Sequence, residues 1–260
     1  MKTLYKFIFK KFSKIFSVGI ALVAGRNFLG RICVQHQGGG VKINYKKIDR
    51  FRYINQLGSV FRIIKTNFCT GFVGFVFYDN GLCSFILLSE GLIKGSRVFS
   101  GPRKFFFDGF GVGSTQKLLH VKLFDTINSF ELFPFSGSKI ARAAGSYAKI
   151  ISKDHQKSIL KLKSGWQIKL SNHSLAVLGI VSNWGHIYQP IKKAGIVRNR
   201  GVRPTVRGVI KNPCDHPHGG GEGRGSPPVA QVSPWGWLCK GTPSKKKKID
   251  ILKRKLFKRI

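Results

Sequence analysis

A mostly β protein, built from two small barrels with basic extensions at both ends, is the fold class that this sequence predicts. Three observations lead there. Short runs rich in Phe, Val and Ile recur between Ser59 and Ser182, punctuated by Gly, Asn and Ser, the pattern of small antiparallel barrels and not of a parallel sheet. Lysine and arginine crowd the two ends: residues 1–65 hold fourteen basic residues against one acidic, residues 66–191 fourteen against six, and residues 192–260 eighteen against three. After Ile191 the apolar patterning fades into Gly, Pro, Arg and Lys, a composition that cannot bury enough apolar surface to fold without a partner.

The elements follow in order. In "MKTLYKFIFKKFSKIF", a helical turn of 100° per residue puts Lys2, Lys6, Lys10 and Lys14 on one face. Leu4, Tyr5, Ile8, Phe9, Phe12, Ile15 and Phe16 fall on the other, with Phe7 the exception. Such a helix suits an RNA-binding arm, an organelle presequence or a membrane surface. "SVFRIIKT" and "GFVGFVFY" read as strands, and "FVFYDNGLCSFIL" as a hairpin turning on the two residues Asn80-Gly81. "LLHVKLF", "YAKIIS", "SILKLK", "WQIKL" and "LAVLGIV" read as a second set of strands. "ILKLKSGWQIKL" is a hairpin about Ser164-Gly165 with one face apolar and one cationic. "GSKIARAAGSYAKI" presents Lys139, Arg142 and Lys149 among small residues, either for close backbone approach or as a short helix. "IKKAGIVRNRGV" holds one short helix, and Ile249, Ile251, Leu252, Leu256 and Phe257 of the lysine-rich tail fit a partner-bound helix.

Charge narrows the function classes. A formal +36 repels itself unless a polyanion covers it, so nucleic acid is the first partner and an anionic membrane the second. No stretch reaches the ~18 consecutive apolar residues of a membrane span. Five cysteines without CxxC spacing give neither a disulfide framework nor a zinc ribbon, and a reducing compartment follows. With ten acids in the chain, carboxylate or two-metal hydrolysis lacks ligands. Frequent Phe, Ile and Lys with scarce Ala suggest an AT-rich, organellar gene.

"NPCDHPHGGGEGRG" admits three readings. Cys214, His216 and His218, completed by Cys239, could hold zinc, although no second spaced pair is present. His216 with Asp215 or Glu222 could be an acid–base pair, although nothing beside it supplies a nucleophile. As an RNA-contacting loop the whole composition has a use. Gly219, Gly220 and Gly221 admit phosphate or sugar close to the backbone, His216 and His218 stack or donate, and Arg224 forks onto phosphate or guanine. "VRNRGVRPTVRG" adds Arg198, Arg200, Arg203 and Arg207 without an acid among them, where a solvated linker is the plain alternative. "RNFLGRICVQHQGGGVK" repeats the recipe with Arg26, Arg31, His36, Gly38, Gly39 and Gly40, and its plain alternative is a hairpin turn.

"GVRPTVRGVIKNPCDHPHGGGEGRGSPPVAQVSPWGWLCKG" resembles the C-terminal signature of the universal second protein of the large ribosomal subunit. "GRICVQHQGGGVKINYKKIDRFR", "GVGS", "KIARAAGSYAKII" and "LKLKSGWQIKL" are similar to earlier segments of that family, in the same order, so the resemblance runs from Arg26 to the C-terminus. It departs at Cys214, where the bacterial pattern has Val, in a shorter N-terminal region and in a compressed segment from Gly225 to Val232. The resemblance implies a basic arm over residues 1–34, an OB-fold-like RNA-binding domain over 35–115, an SH3-like barrel over 116–195 and an rRNA-penetrating extension over 196–260. It implies a non-enzymatic constituent of the large subunit, near the peptidyl transferase region, that supports subunit association. The implied partners are large-subunit rRNA, other large-subunit proteins and the small subunit across a bridge, with no homo-oligomer, no membrane span and no cofactor beyond Mg2+ held by rRNA. With the composition it points to a mitochondrial ribosome, a plastid or bacterial one being the alternative. A free nucleoid-type nucleic-acid-binding protein and a metal-dependent enzyme are the competing classes.

Overall fold

A computed structural model describes residues 11–20, 23–102, 111–223, 230–240 and 257–259. They divide into two compact units. One holds residues 11–20, 42–190 and 257–259; the other joins residues 23–41 to residues 191–240. The fold is mostly β, an OB-fold followed by an SH3-like barrel within the first unit.

The OB-like part centres on a four-stranded antiparallel sheet of β3 (Gln56–Ile64), β4 (Val73–Tyr78), β5 (Cys83–Leu87) and β6 (Arg97–Ser100), in the order β5-β4-β3-β6. An antiparallel pair, β1 (Ser17–Ile20) with β2 (Ile43–Lys46), joins it through a parallel bridge from Ile48 to Phe85. β4 is buried on both faces, which explains its unbroken apolar sequence. Val76 and Tyr78 pack with Val60, Ile86, Leu88 and Val98, while Val73 and Phe75 pack with Phe85 on the opposite side. β3 is able to serve both cores because its register shifts between Val60 and Arg62, a bulge that bends the strand.

Phe12 and Phe16 extend the second of these cores. Residues 11–15 are helical, and the two rings meet Phe77 and Phe85 edge-on at centroid distances of 6.3 Å in each case. Phe12 and Phe16 of the apolar face expected of the N-terminal helix are therefore used inside the first barrel, whereas Ile15 is exposed. Residues 1–10, which carry most of the expected lysine face, lie outside the described residues.

The SH3-like part is a seven-stranded sheet made of β7 (Thr115–Lys117), β8 (Thr126–Asn128), β9 (Ala148–Lys153), β10 (Lys157–Leu162), β11 (Trp166–Ser171), β12 (Leu175–Leu178) and β13 (Phe257–Arg259), in the order β13-β11-β10-β9-β8-β12-β7. Its core gathers Leu118, Ile127, Phe130, Ile150, Leu160 and Ile168. β10 and β11 alternate as the sequence predicts. Ser158, Leu160, Ile168 and Leu170 are buried, whereas Lys157, Lys161 and Lys169 are exposed.

Local expectations fail in four places. The turn after β4 is a three-residue loop, with Tyr78 paired to Leu82 and Gly81 alone left-handed at φ 81°. Asn80 instead uses its Oδ1 to accept the Leu82 N–H at 3.1 Å, so no two-residue turn is required. The loop of Lys163, Ser164 and Gly165 is built the same way, with the Gly165 N–H on the Leu162 carbonyl. "LLHVKLF" is not a strand: Leu118–His120 is a 3-10 turn that tucks Leu118 into the core. Residues 137–147 form no helix; an isolated bridge joins Ile140 to Phe130, and β9 begins at Ala148. Phe257 of the expected tail helix lies in β13, and Ile249, Ile251, Leu252 and Leu256 fall outside the described residues.

Two buried ionisable side chains hold the first unit together. Arg52 donates to Ser100 Oγ at 2.9 Å, the Phe99 carbonyl at 2.9 Å and the Gly113 carbonyl at 3.0 Å. Burial lowers its pKa from the arginine value, and Tyr78 and Asp49 act in the opposite sense. Glu131 accepts the Gly137 and Leu175 N–H groups at 2.9 and 3.0 Å and the Tyr53 hydroxyl. Burial, and next the bond to Glu131, raise the Tyr53 pKa. Each guanidinium nitrogen of Arg52 and each carboxylate oxygen of Glu131 has a partner supplied by the fold, as charge kept inside a small barrel requires.

Candidate nucleic-acid interface

The second unit brings together two motifs that are far apart in sequence. Gln37 forms an antiparallel bridge with Val202. The Gly38 N–H donates to the Gly201 carbonyl at 2.9 Å, the Val41 N–H to Asn199 at 3.0 Å and the Arg203 N–H to the His36 carbonyl at 2.9 Å. The glycine run exists for this contact. A Cβ on Gly40, whose φ is 91°, would stand 2.8 Å from the Gly201 nitrogen and 2.9 Å from the Asn199 oxygen. Arg198 closes the clasp by donating to the Gly38 carbonyl at 3.0 Å. Gly38, Gly39 and Gly40 thus have an internal reason that the sequence reading did not supply.

The clasp fixes an arginine-bearing strip. Arg198 leaves the short helix α1 (Ala194–Asn199) in its last turn, Arg200 caps its C-terminus, and Arg203 and Arg207 follow beyond it, all exposed. Among the described residues none of them pairs with a carboxylate; the ion pair found is Lys169 with Asp154 at 3.4 Å, in the other unit. Four guanidinium groups without a carboxylate partner, within ten residues of a backbone held by the clasp, form an anion-binding surface. Arg26 and Arg31 stand on a hairpin of the same unit, both exposed, with Arg26 Nη1 on the Gly30 carbonyl at 2.8 Å.

The histidine loop folds inward. His216 and His218 are the buried side chains of residues 212–220, while Cys214 and Asp215 are exposed. The rings touch at a centroid distance of 4.8 Å, and His216 Nδ1 accepts the His218 N–H at 3.0 Å. His216 sits on the backbone of Gly208, where a Cβ would lie 2.5 Å from Nδ1. His218 Nε2 is 3.1 Å from the Ala230 carbonyl and 3.3 Å from the Val232 nitrogen. One nitrogen cannot donate and accept at once, so its tautomer selects which of the two it serves. The Gly219 and Gly220 N–H groups are also used within the loop, on the His216 and Lys211 carbonyls, and Gly221 faces open space. This geometry makes the histidines a clasp for the loop. No three His, Cys, Asp or Glu side chains gather into a metal-holding group among the described residues, and Arg224 lies outside them.

The clasp carries a pH dependence. Desolvation first, with His218 and Lys211 adding to it, lowers the His216 pKa below its usual value. A histidine lowered by folding stabilises the fold fully above its unfolded value of roughly 6.5 and loses that contribution as pH falls through the lowered value. Protonated Nδ1 can no longer accept the His218 N–H. Hydrogen exchange, corrected for its intrinsic pH dependence, is expected to show the His218 amide protected at pH 7.5 and losing protection as pH falls below the unfolded histidine value of roughly 6.5. Unchanged protection at pH 5 would count against the clasp.

The first unit offers a second cationic surface. Lys149 on β9 lies directly opposite Lys161 on β10, both exposed, and like charges so placed repel unless an anion sits on them. Half-buried Arg142 donates to the Ser138 carbonyl at 3.4 Å and lines a cavity of about 320 Å³ with Arg50, Tyr45 and Phe68. No helix among the described residues is long and apolar enough to cross a membrane.

The family model for the RNA binding N-terminal domain of Ribosomal Proteins L2 matches residues 18–100, and the model for their C-terminal domain matches residues 111–236. The matched region begins earlier than the resemblance read from sequence and stops before the lysine-rich tail. The large ribosomal subunit protein uL2 of Chelativorans sp. (strain BNC1) is 40% identical over 233 residues, covering 89% of this chain and 83% of that protein. With both family domains present in order along the chain, and a bacterial relative similar to it over most of its length, the protein belongs to the ribosomal protein L2 (uL2) family.

Proposed function

We propose that this protein is a structural constituent of a large ribosomal subunit, binds its rRNA near the peptidyl transferase region and supports association of the subunits. The observation that carries the reading is the exposed, acid-free strip from Arg198 to Arg207, held in place by the glycine run, in a chain of the uL2 family. Its other partners on this reading are neighbouring large-subunit proteins and the small subunit across a bridge. Catalysis is left to RNA, and Mg2+ enters only through the rRNA. The Phe-, Ile- and Lys-rich composition supports a mitochondrial particle. A plastid or bacterial particle is the alternative, and the bacterial relative is compatible with it.

Sedimentation through a magnesium-containing sucrose gradient tests this. The protein is expected to travel with the large subunit and to leave that position after RNase treatment. A peak at the top of the untreated gradient would overturn the ribosomal reading. Association with DNA instead would favour a nucleoid-type protein, whose affinity rests mainly on phosphates of any duplex.

A further inference from the structure

Residues 25–33 and 231–239 form two hairpins with one hydrogen-bond scheme. In the first, the Asn27 N–H donates to the Arg31 carbonyl at 2.9 Å, Gly30 N–H to Asn27 O at 3.0 Å and Cys33 N–H to Gly25 O at 2.8 Å, and Arg26 bridges Ile32. In the second, Ser233 N–H donates to Trp237 O at 2.7 Å, Gly236 N–H to Ser233 O at 2.9 Å and Cys239 N–H to Gln231 O at 2.9 Å, and Val232 bridges Leu238. The side-chain cap also repeats: Asn27 Oδ1 accepts the Arg31 N–H at 2.9 Å, and Ser233 Oγ accepts the Trp237 N–H at 3.2 Å. Gly30 and Gly236 take the same left-handed conformation, with φ of 77° and 82°.

What differs from the other three-residue hairpins is the tip. The loops after Tyr78 and Leu162 expose Asp79-Asn80 and Lys163-Ser164, as water requires. The loops of the second unit expose Phe28-Leu29 and Pro234-Trp235. Phe28 is 95% exposed, Trp235 71% and neighbouring Trp237 76%. A capped, hydrogen-bonded turn holds each ring out at little further cost in entropy, the arrangement that an insertion element needs. The surroundings select the occupant. Arg26 and Arg31 flank Phe28, no acid precedes Asp49, and residues 191–240 contain only Asp215 and Glu222. The Phe28 ring, flanked by two arginines, fits a nucleobase with its phosphates, where a buried apolar pocket of another protein would leave those charges unpaired; the repeated scaffold and exposed ring of the Trp235 hairpin, which has no charge of its own, extend the reading to it.

We propose that the two hairpins are paired base-stacking fingers: Phe28 and Trp235 each lie against an unpaired nucleobase of the rRNA, with Arg26 and Arg31 on the adjoining phosphates. The proposal rests on the rRNA-binding reading above and adds the residues and the mode of contact. Large subunits purified from cells carrying Phe28→Ala, Phe28→Tyr, Phe28→Leu, Trp235→Ala, Trp235→Phe or Trp235→Leu test it. A 2′-hydroxyl acylating reagent then maps nucleotide mobility in each particle. Each alanine variant is expected to raise the reactivity of its own small set of nucleotides by about ten-fold, in line with the loss of one stacked base. The aromatic variants are expected to stay at the wild-type level and the leucine variants to behave as alanine. If alanine variants fail to enter the subunit while the aromatic ones enter normally, the same conclusion holds. Leucine restoring protection as well as an aromatic ring would overturn the proposal in favour of an apolar protein pocket. Unchanged reactivity at full occupancy would overturn it too. In either case wild-type protein still sediments with the subunit, which separates failure of the fingers from failure of the ribosomal reading.

Discussion

Replacing Arg203 and Arg207 together by alanine is expected to strip the protein from the large subunit while leaving its fold intact. Both side chains are exposed and neither is paired with a carboxylate among the described residues. The strip is held through backbone bonds, such as Arg203 N–H to His36 O, which alanine keeps. Arg198 is left untouched because its guanidinium supports the Gly38 carbonyl. Each lost phosphate contact reduces the dependence of log Kobs on log salt by about 0.7–0.9, so the double variant is expected to lose up to about 1.8 from that slope. Quantitative mass spectrometry of purified subunits reads the loss of occupancy directly. The double lysine variant is expected to recover part of it, because charge returns but the planar fork does not. Wild-type occupancy of the alanine variant would show that the strip serves something other than RNA attachment.

Arg52→Ala is expected to destabilise the first unit by about 3–5 kcal/mol, since it removes a buried charge together with its three hydrogen bonds to the surrounding fold. The three acceptors come from two places, the end of β6 at Phe99 and Ser100 and the approach to β7 at Gly113, so a single deletion loosens both. Against a total stability of about 5–15 kcal/mol, that is enough to leave the barrel marginal. Urea unfolding of the full chain measures it. Arg50→Ala is the control: its guanidinium meets the Tyr45 hydroxyl at 3.1 Å in an exposed setting, and a change within about 0.5 kcal/mol is expected. Equal losses in the two variants would mean that Arg52 contributes only surface charge.

Much of the first unit was legible because its signals are local. Alternation in "ILKLKSGWQIKL" is a property of neighbouring residues, and it appears unchanged as the buried and exposed faces of β10 and β11. The length of a turn is less local. Asn80-Gly81 has the residues for a two-residue loop, but the pairing of Tyr78 with Leu82 and the cap from Asn80 make it three. The arginine strip was visible as charge without acid, yet its fixing by Gly38 to Gly40 was not, because no pattern within a window shows which distant backbone a glycine will touch. Arg52 was read past for a related reason. In a chain with 46 basic residues, one that turns inward carries no mark in its own neighbours. The twin hairpins did leave a sign, the shared spacing of N-x-x-G-x-x-C and S-x-x-G-x-x-C ending at Cys33 and Cys239. The histidines were read as RNA contacts, and their packing against Gly208 and Ala230 was not foreseen, because no local pattern shows which distant backbone a ring will meet.

The clasp between the glycine run and the arginine strip also sets an order of events during synthesis. Arg198 follows Gly38 by 160 residues. At roughly 5–20 residues per second, the ribosome making this chain needs about 10–30 s to supply the second half of the clasp after the first has emerged. The strands from β2 to β12 lie between the two halves and pair with antiparallel neighbours, so they can form during that interval, whereas β13 is made only after the clasp. Their folding also shortens the effective span that the clasp must close. The surface richest in arginine is therefore completed only after β2 to β12 have been made, and for most of its synthesis the chain carries its anion-binding halves apart.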